Sequence, residues 1–168
     1  MKKQYIIIHH EAGNGGFNVV NEWHRKLWNW KSSLGYYCGY HIYIDKQGNM
    51  TKSRNLTEEG AHTKYWNSKA VGICLMGNFV YDKPTQQQLT VLKKLVDEIR
   101  NKYNIQKKNV LGHKEVKNTL CPGQLMDWIK QYRTETKKGR LELIQQQINA
   151  IRIKLLALLK LLKLFHKF

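Results

Sequence analysis

Apolar positions fall into short β-branched runs separated by stretches with helical spacing. Tyr5 to Ile8 is a run too short for a helix and reads as a buried strand that ends in the pair His9-His10. Glu11 to Phe17 is rich in Gly and Asn and reads as a loop, after which Val20, Trp23, His24, Leu27 and Trp28 recur at helical spacing. Gly39 to Ile44 reads as a strand, turned back at Lys46-Gln47-Gly48-Asn49 into a hairpin, and Val71 to Met76 as another buried strand. Thr85 is placed as an N-cap with Gln88 three residues on, ahead of an apolar face made by Leu89, Leu92, Leu95, Val96 and Ile99. Val110-Leu111 leads into Gly112-His113, and Leu125, Trp128, Ile129 and Tyr132 predict a last body helix. Alternating strands and helices predict an α/β fold with a mixed central β-sheet flanked by helices.

The pattern changes near residue 133. Residues 133–140 are polar and charged and read as a linker, which makes 1–132 the body. Residues 141–168 hold neither Pro nor Gly and predict one C-terminal amphipathic helix, about 40 Å long at about 1.5 Å per residue. On it Glu142, Gln145, Asn149, Arg152, Lys160, Lys163 and Lys167 share a narrow face interrupted by Leu156, and most other positions are Leu, Ile or Phe. An apolar arc that wide exceeds what a surface helix needs and predicts burial against the body, self-association into a homo-oligomer, or contact with an anionic membrane. Leu155 to Phe165 is too short and too charged for a span of about 20 residues.

A net charge of +17 over 168 residues predicts a polyanionic partner: nucleic acid, a membrane surface or a cell wall. No recognised nucleic-acid motif accompanies the charge, so no nucleic acid is expected. Cys38, Cys74 and Cys121 are odd in number and irregularly spaced, which suits a reducing cytoplasm better than a disulfide framework. Met1-Lys2-Lys3-Gln4 runs straight into a strand without the features of a secretory signal, so cytoplasmic synthesis is expected.

The candidate chemistry lies at both ends of the body. His9-His10 at a strand end, with His113 and Cys121 about a hundred residues later, resembles a zinc site. Imidazole and thiolate are good zinc ligands, and three protein ligands leave a tetrahedral position open for hydrolysis. In order, Ile7-Ile8-His9-His10, Gly39-Tyr40-His41, Gly60-Ala61-His62, Val71 to Phe79, and Gly112-His113 through Cys121-Pro122 resemble the type-2 family of zinc-dependent N-acetylmuramoyl-L-alanine amidases. That family includes phage endolysins and animal peptidoglycan recognition proteins, and the resemblance covers about residues 4 to 132.

The resemblance implies zinc (Zn2+) held by His9, His113 and Cys121, with His10 a neighbour. It implies catalytic roles for Tyr40 and Thr119, facing the substrate carbonyl, and a substrate contact for His62. Cys74 stands where a related group of bacterial amidases carries a glutamate base. His41 is expected to be structural, and Trp23, Trp28 and Trp30 to be helix packing and not a sugar platform. The implied activity is that of an endolysin which cleaves the amide between N-acetylmuramic acid and L-alanine in bacterial peptidoglycan. The alternatives are a non-catalytic peptidoglycan-binding module and a membrane-permeabilising protein that uses the amidase body as a carrier.

Overall fold

The computed structural model describes residues 2–165. Strand β1 (Tyr5–His10) is the central element, and its Ile6, Ile7 and Ile8 are fully buried. Such a run suits a strand covered on both faces and flanked by parallel neighbours. These neighbours are β4 (Ala70–Leu75) and β5 (Val110–Gly112). The hairpin β2 (Ile42–Ile44) and β3 (Met50–Lys52) completes a five-stranded mixed sheet of order β3-β2-β4-β1-β5, parallel except for β2 with β3.

Helices α1 (Phe17–Trp28), α2 (Gln86–Tyr103) and α3 (Leu125–Thr134) complete the body. Ile6, Ile8, Ile73 and Leu75 pack with Leu92, Val96, Ile99, Leu125 and Ile129 in the main core. A smaller cluster holds Val20, Cys38, Tyr43 and Cys74. The expected capping box is present: the Gln88 N–H donates to the Thr85 hydroxyl, and the Thr85 N–H to the Gln88 side chain.

Two expected boundaries differ. Strand β2 starts at Ile42 and not at Gly39, because the Gly39 N–H donates to His24 Nδ1 and its carbonyl accepts from Ala61 N–H, so neither joins a strand ladder. A Cβ at Gly39 would lie 2.1 Å from the Ala61 carbonyl oxygen, a close approach only glycine permits.

Residues 133–140, expected as a linker, are mostly helical. Helix α3 runs through Thr134 and α4 (Lys137–Phe165) begins after Glu135 and Thr136. The Thr136 hydroxyl accepts from the Gly139 N–H, an N-cap bond that draws the charged run into a first turn. By its contacts the chain divides into two compact units, Met1–Arg133 and Thr134–Phe168. The last three residues of the expected tail helix, 166–168, lie outside the described residues. Among the described residues no helix is long and apolar enough to cross a membrane.

Candidate metal centre and groove

Successive residues of a strand face opposite sides, and this separates the two histidines. His10 Nδ1 accepts from the Phe79 N–H on the main-core side, which makes it an anchor. His9 points the other way, toward His113 and Cys121. His113 opens a 3-10 turn (His113–Glu115) directly after β5, and that turn is tied to the cysteine loop by the Lys114 N–H donating to the Cys121 carbonyl at 2.7 Å. Parallel pairing of β1 with β5 therefore brings together donors far apart in sequence.

The ligand atoms of His9, His113 and Cys121 all lie within 4.8 Å of one another. His9 Nδ1 is 3.8 Å from Cys121 Sγ, and the two imidazole centroids are 4.4 Å apart. Burial first, and then the charges of His62, His113, His10 and His24, hold the His9 pKa well below its ordinary value. His113 is lowered to about 4 by burial, with smaller effects of Lys117 and His10. Burial pushes the Cys121 thiol up to about 12, against a smaller opposing effect of the His10 N–H at 3.4 Å from the sulfur. Neutral imidazoles are ready ligands, and a buried thiol releases its proton when a cation takes its place. His113 Nε2 is buried without a hydrogen-bond partner. One sulfur and two nitrogens so arranged fit a tetrahedral divalent metal.

Tyr40 stands beside this cluster, its ring centroid 4.9 Å from that of His9 and 5.3 Å from that of His24. Burial pushes its phenol well above the ordinary range, so it keeps its proton and can donate. Thr119 holds the cysteine loop: its hydroxyl oxygen accepts from the Cys121 N–H at 3.2 Å. Cys74 pairs in register with His9 and is fully buried, and its thiol is also pushed well up by burial. A thiol that retains its proton is no substitute for a carboxylate base. The nearby Glu11 is engaged elsewhere, accepting from the Gly15 and Gly16 N–H groups and from the Tyr43 hydroxyl.

His62 sits against the cluster, with Nδ1 3.1 Å from His9 Nε2, and it also lines a groove of about 580 Å³. Its ring is wedged between two glycines: a Cβ at Gly60 or Gly72 would lie 2.5 Å from His62 Cδ2. The Asn67 side chain accepts from the His62 and Thr63 N–H groups and keeps that loop in place. His41 is fully buried and bonded to the Glu58 carbonyl and the Gly72 N–H, a structural role as expected. That role comes from a bend and not from strand alternation.

Two features escaped the sequence reading. His24 is buried in α1 and accepts from the Gly39 N–H at 2.8 Å, which positions the backbone next to Tyr40. Its place on the apolar side of α1 was the available signal. The tryptophans require a correction, because Trp28 and Trp30 remain nearly half exposed and line the groove with Lys64 and Lys117. Helical spacing marked Trp23 and Trp28 for packing, yet the chain leaves α1 at Asn29 in a left-handed turn, and the aromatic surface beyond stays open.

Residues 1–124 match the family Amidase_2, N-acetylmuramoyl-L-alanine amidase. Peptidoglycan-recognition protein SC2 of Drosophila melanogaster is 31% identical over 129 residues, covering 71% of this chain and 67% of the relative. The endolysin of Enterobacteria phage K11 is 30% identical over 121 residues, covering 68% and 75%. Among solved structures, the N-acetylmuramoyl-L-alanine amidase LysC from Clostridium intestinale URNW is similar with a TM-score of 0.69 at 34% identity, covering 77% of this chain and 84% of that one. Drosophila PGRP-LB gives 0.65 at 26% identity, covering 76% and 82%. The matched stretch contains all three donors of the cluster, and on this ground the chain belongs to the N-acetylmuramoyl-L-alanine amidase family.

Proposed function

We propose that the chain is a phage-type endolysin, made in a host cytoplasm and acting on the cell wall. It hydrolyses the amide between the lactyl group of N-acetylmuramic acid and the L-alanine of the stem peptide, with zinc held by His9, His113 and Cys121. The convergence of two imidazoles and one thiol within 4.8 Å carries this reading. His9, His113 and Cys121 would hold the zinc, which when bound would supply Lewis-acid polarisation of the amide carbonyl and a water of pKa lowered toward about 7.

The chain's own residues do the rest. Attack of water on the amide carbonyl carbon produces a tetrahedral oxyanion to which the protonated Tyr40 phenol donates, and its collapse breaks the C–N bond while the proton given up by that water passes to the leaving L-alanine amine. The Thr119 oxygen is occupied by the Cys121 N–H, which leaves the Thr119 proton for the same oxyanion or a substrate carbonyl. The groove orients the substrate: Trp28 and Trp30 offer apolar faces to the glycan, His62 contacts it at the centre, and Lys64 and Lys117 attract the stem-peptide carboxylates. A module that only bound peptidoglycan would have no use for three converging donors, and their presence favours catalysis.

Digestion of purified peptidoglycan followed by mass analysis tests the proposal. Stem peptides with a free L-alanine amino terminus are expected from the wild type, and none after chelation or with Cys121→Ser. New reducing sugar ends, or cuts inside the peptide, would refute it.

A further inference from the structure

Helix α4 (Lys137–Phe165) takes no part in the chemistry above, yet its described side chains from Leu141 to Leu159 are all exposed. Leu141, Ile144, Ile148, Ile151, Leu155 and Leu158 alternate at spacings of three and four and form one apolar stripe. Ile153 and Leu156 lie off that stripe and are also exposed, at 67% and 52%. Charge selects the occupant of the stripe. The tail carries Arg152, Lys154, Lys160, Lys163 and Lys167 against the single acid Glu142, so copies brought together repel one another while an anionic surface attracts each of them. Glu142, Gln145, Asn149 and Arg152 follow one another at spacings of three and four on a polar face beside the stripe, interrupted by Leu156, and Gln145 donates to Asn149 along it. Lys154 sits among apolar neighbours but has a stem long enough to carry its ammonium to the headgroups. Among the described residues no helix is long and apolar enough to span a membrane, and a helix lying in the interface needs no such length.

We infer that α4 is a docking surface for an anionic lipid bilayer, lying along it with Ile151, Leu155 and Leu158 inserted and Arg152 and Lys154 at the headgroups. This rests on the second unit of the chain and is independent of the amidase reading. The test is co-sedimentation of the full-length protein with vesicles that contain no peptidoglycan, made of phosphatidylcholine alone or mixed with phosphatidylglycerol. Binding is expected only to the mixed vesicles, and weaker at high salt. The double variant Arg152→Gln, Lys154→Gln, both good helix formers, is expected to bind at least about tenfold more weakly, since each cation near such a surface contributes roughly 1 kcal/mol. The variant Ile151→Ser, Leu155→Ser is expected to lose binding at any charge density. Both should digest purified wall like the wild type, which shows that the body is folded.

Equal binding to neutral vesicles, or unchanged binding by either variant, overturns the inference, the latter because attachment then comes from the body's own charge. Absence of vesicle binding together with a concentration-dependent oligomer that Ile151→Ser, Leu155→Ser dissociates assigns the surface to a second copy and also overturns it.

Discussion

His9 Nε2 lies 3.1 Å from His62 Nδ1, while His9 Nδ1 faces the Cys121 sulfur at 3.8 Å. One ring nitrogen serves the donor cluster and the other serves a second histidine. If Nδ1 binds a metal, the proton of His9 resides on Nε2 and is donated to His62, which sets the tautomer and aim of the ligand. Such outer partners of ligating histidines contribute about 10–100-fold to metal affinity. His62→Phe should weaken zinc binding by about that factor in chelator competition, and His62→Asn, which keeps an acceptor near Nδ1, should recover part of it. Unchanged affinity in His62→Phe would show that His62 serves only the groove.

Tyr40→Phe removes the hydroxyl together with its hydrogen bond to the Cys74 side chain. The expected result is a fall in kcat of about 10²–10³-fold with metal content unchanged, as for loss of one oxyanion donor. Metal content comes from elemental analysis and kcat from wall digestion. A fall confined to KM would place Tyr40 in substrate binding instead.

Trp28→Ala should raise KM about tenfold with kcat nearly unchanged, since one aromatic contact is worth about 0.5–1.5 kcal/mol beyond its buried area. Trp28 also packs its ring 4.6 Å from His24, so Trp28→Tyr serves as a control that keeps a stacking face. Recovery by tyrosine supports a substrate platform. Equal loss of kcat in both variants would point to a displaced Tyr40.

Acid should unfold the body through histidines that stay neutral inside it. His24 and His41 are both lowered to about 4, first by burial and then by nearby cations, Arg54 for His24 and Lys3 with Arg54 for His41, where Glu58 opposes. The unfolded chain takes up these protons near pH 6.5 and the folded chain does not. Their contribution is therefore complete above about pH 6.5 and is lost as the pH falls toward about 4, by up to about 3 kcal/mol for each. Urea midpoints should drop between pH 7 and 4.5, with a shallower drop in His24→Gln. A profile in His24→Gln as steep as in the wild type would remove His24 from this account.

Much of this was readable along the chain, for local reasons. The β-branched run of β1 and the Thr85–Gln88 cap involve neighbours in sequence, and both were found where expected. The site motifs were legible as a resemblance, and the cluster of His9, His113 and Cys121 matches it. What escaped depends on contacts distant in sequence or on faint local bonds. Gly39 leaves the ladder because His24 and Ala61 claim its backbone. His62 meets His9 across 53 residues, a proximity no periodicity encodes. The cap from Thr136 to Gly139 is one hydrogen bond inside a charged run, at the start of a helix that begins within the stretch expected as a linker.

The opposed histidines of β1 have a consequence for the order in which the protein becomes competent. A slip of one residue in the pairing of β1 with β4 and β5 would send His10 into the cluster and His9 into the core, exchanging ligand and anchor. Both registers offer an imidazole to the cluster, so what the native alignment adds is the anchor, His10 accepting from the Phe79 N–H. Uptake of the ion by a refolding chain would therefore report that the strands have met, while their alignment shows only in the bond from Phe79 to His10.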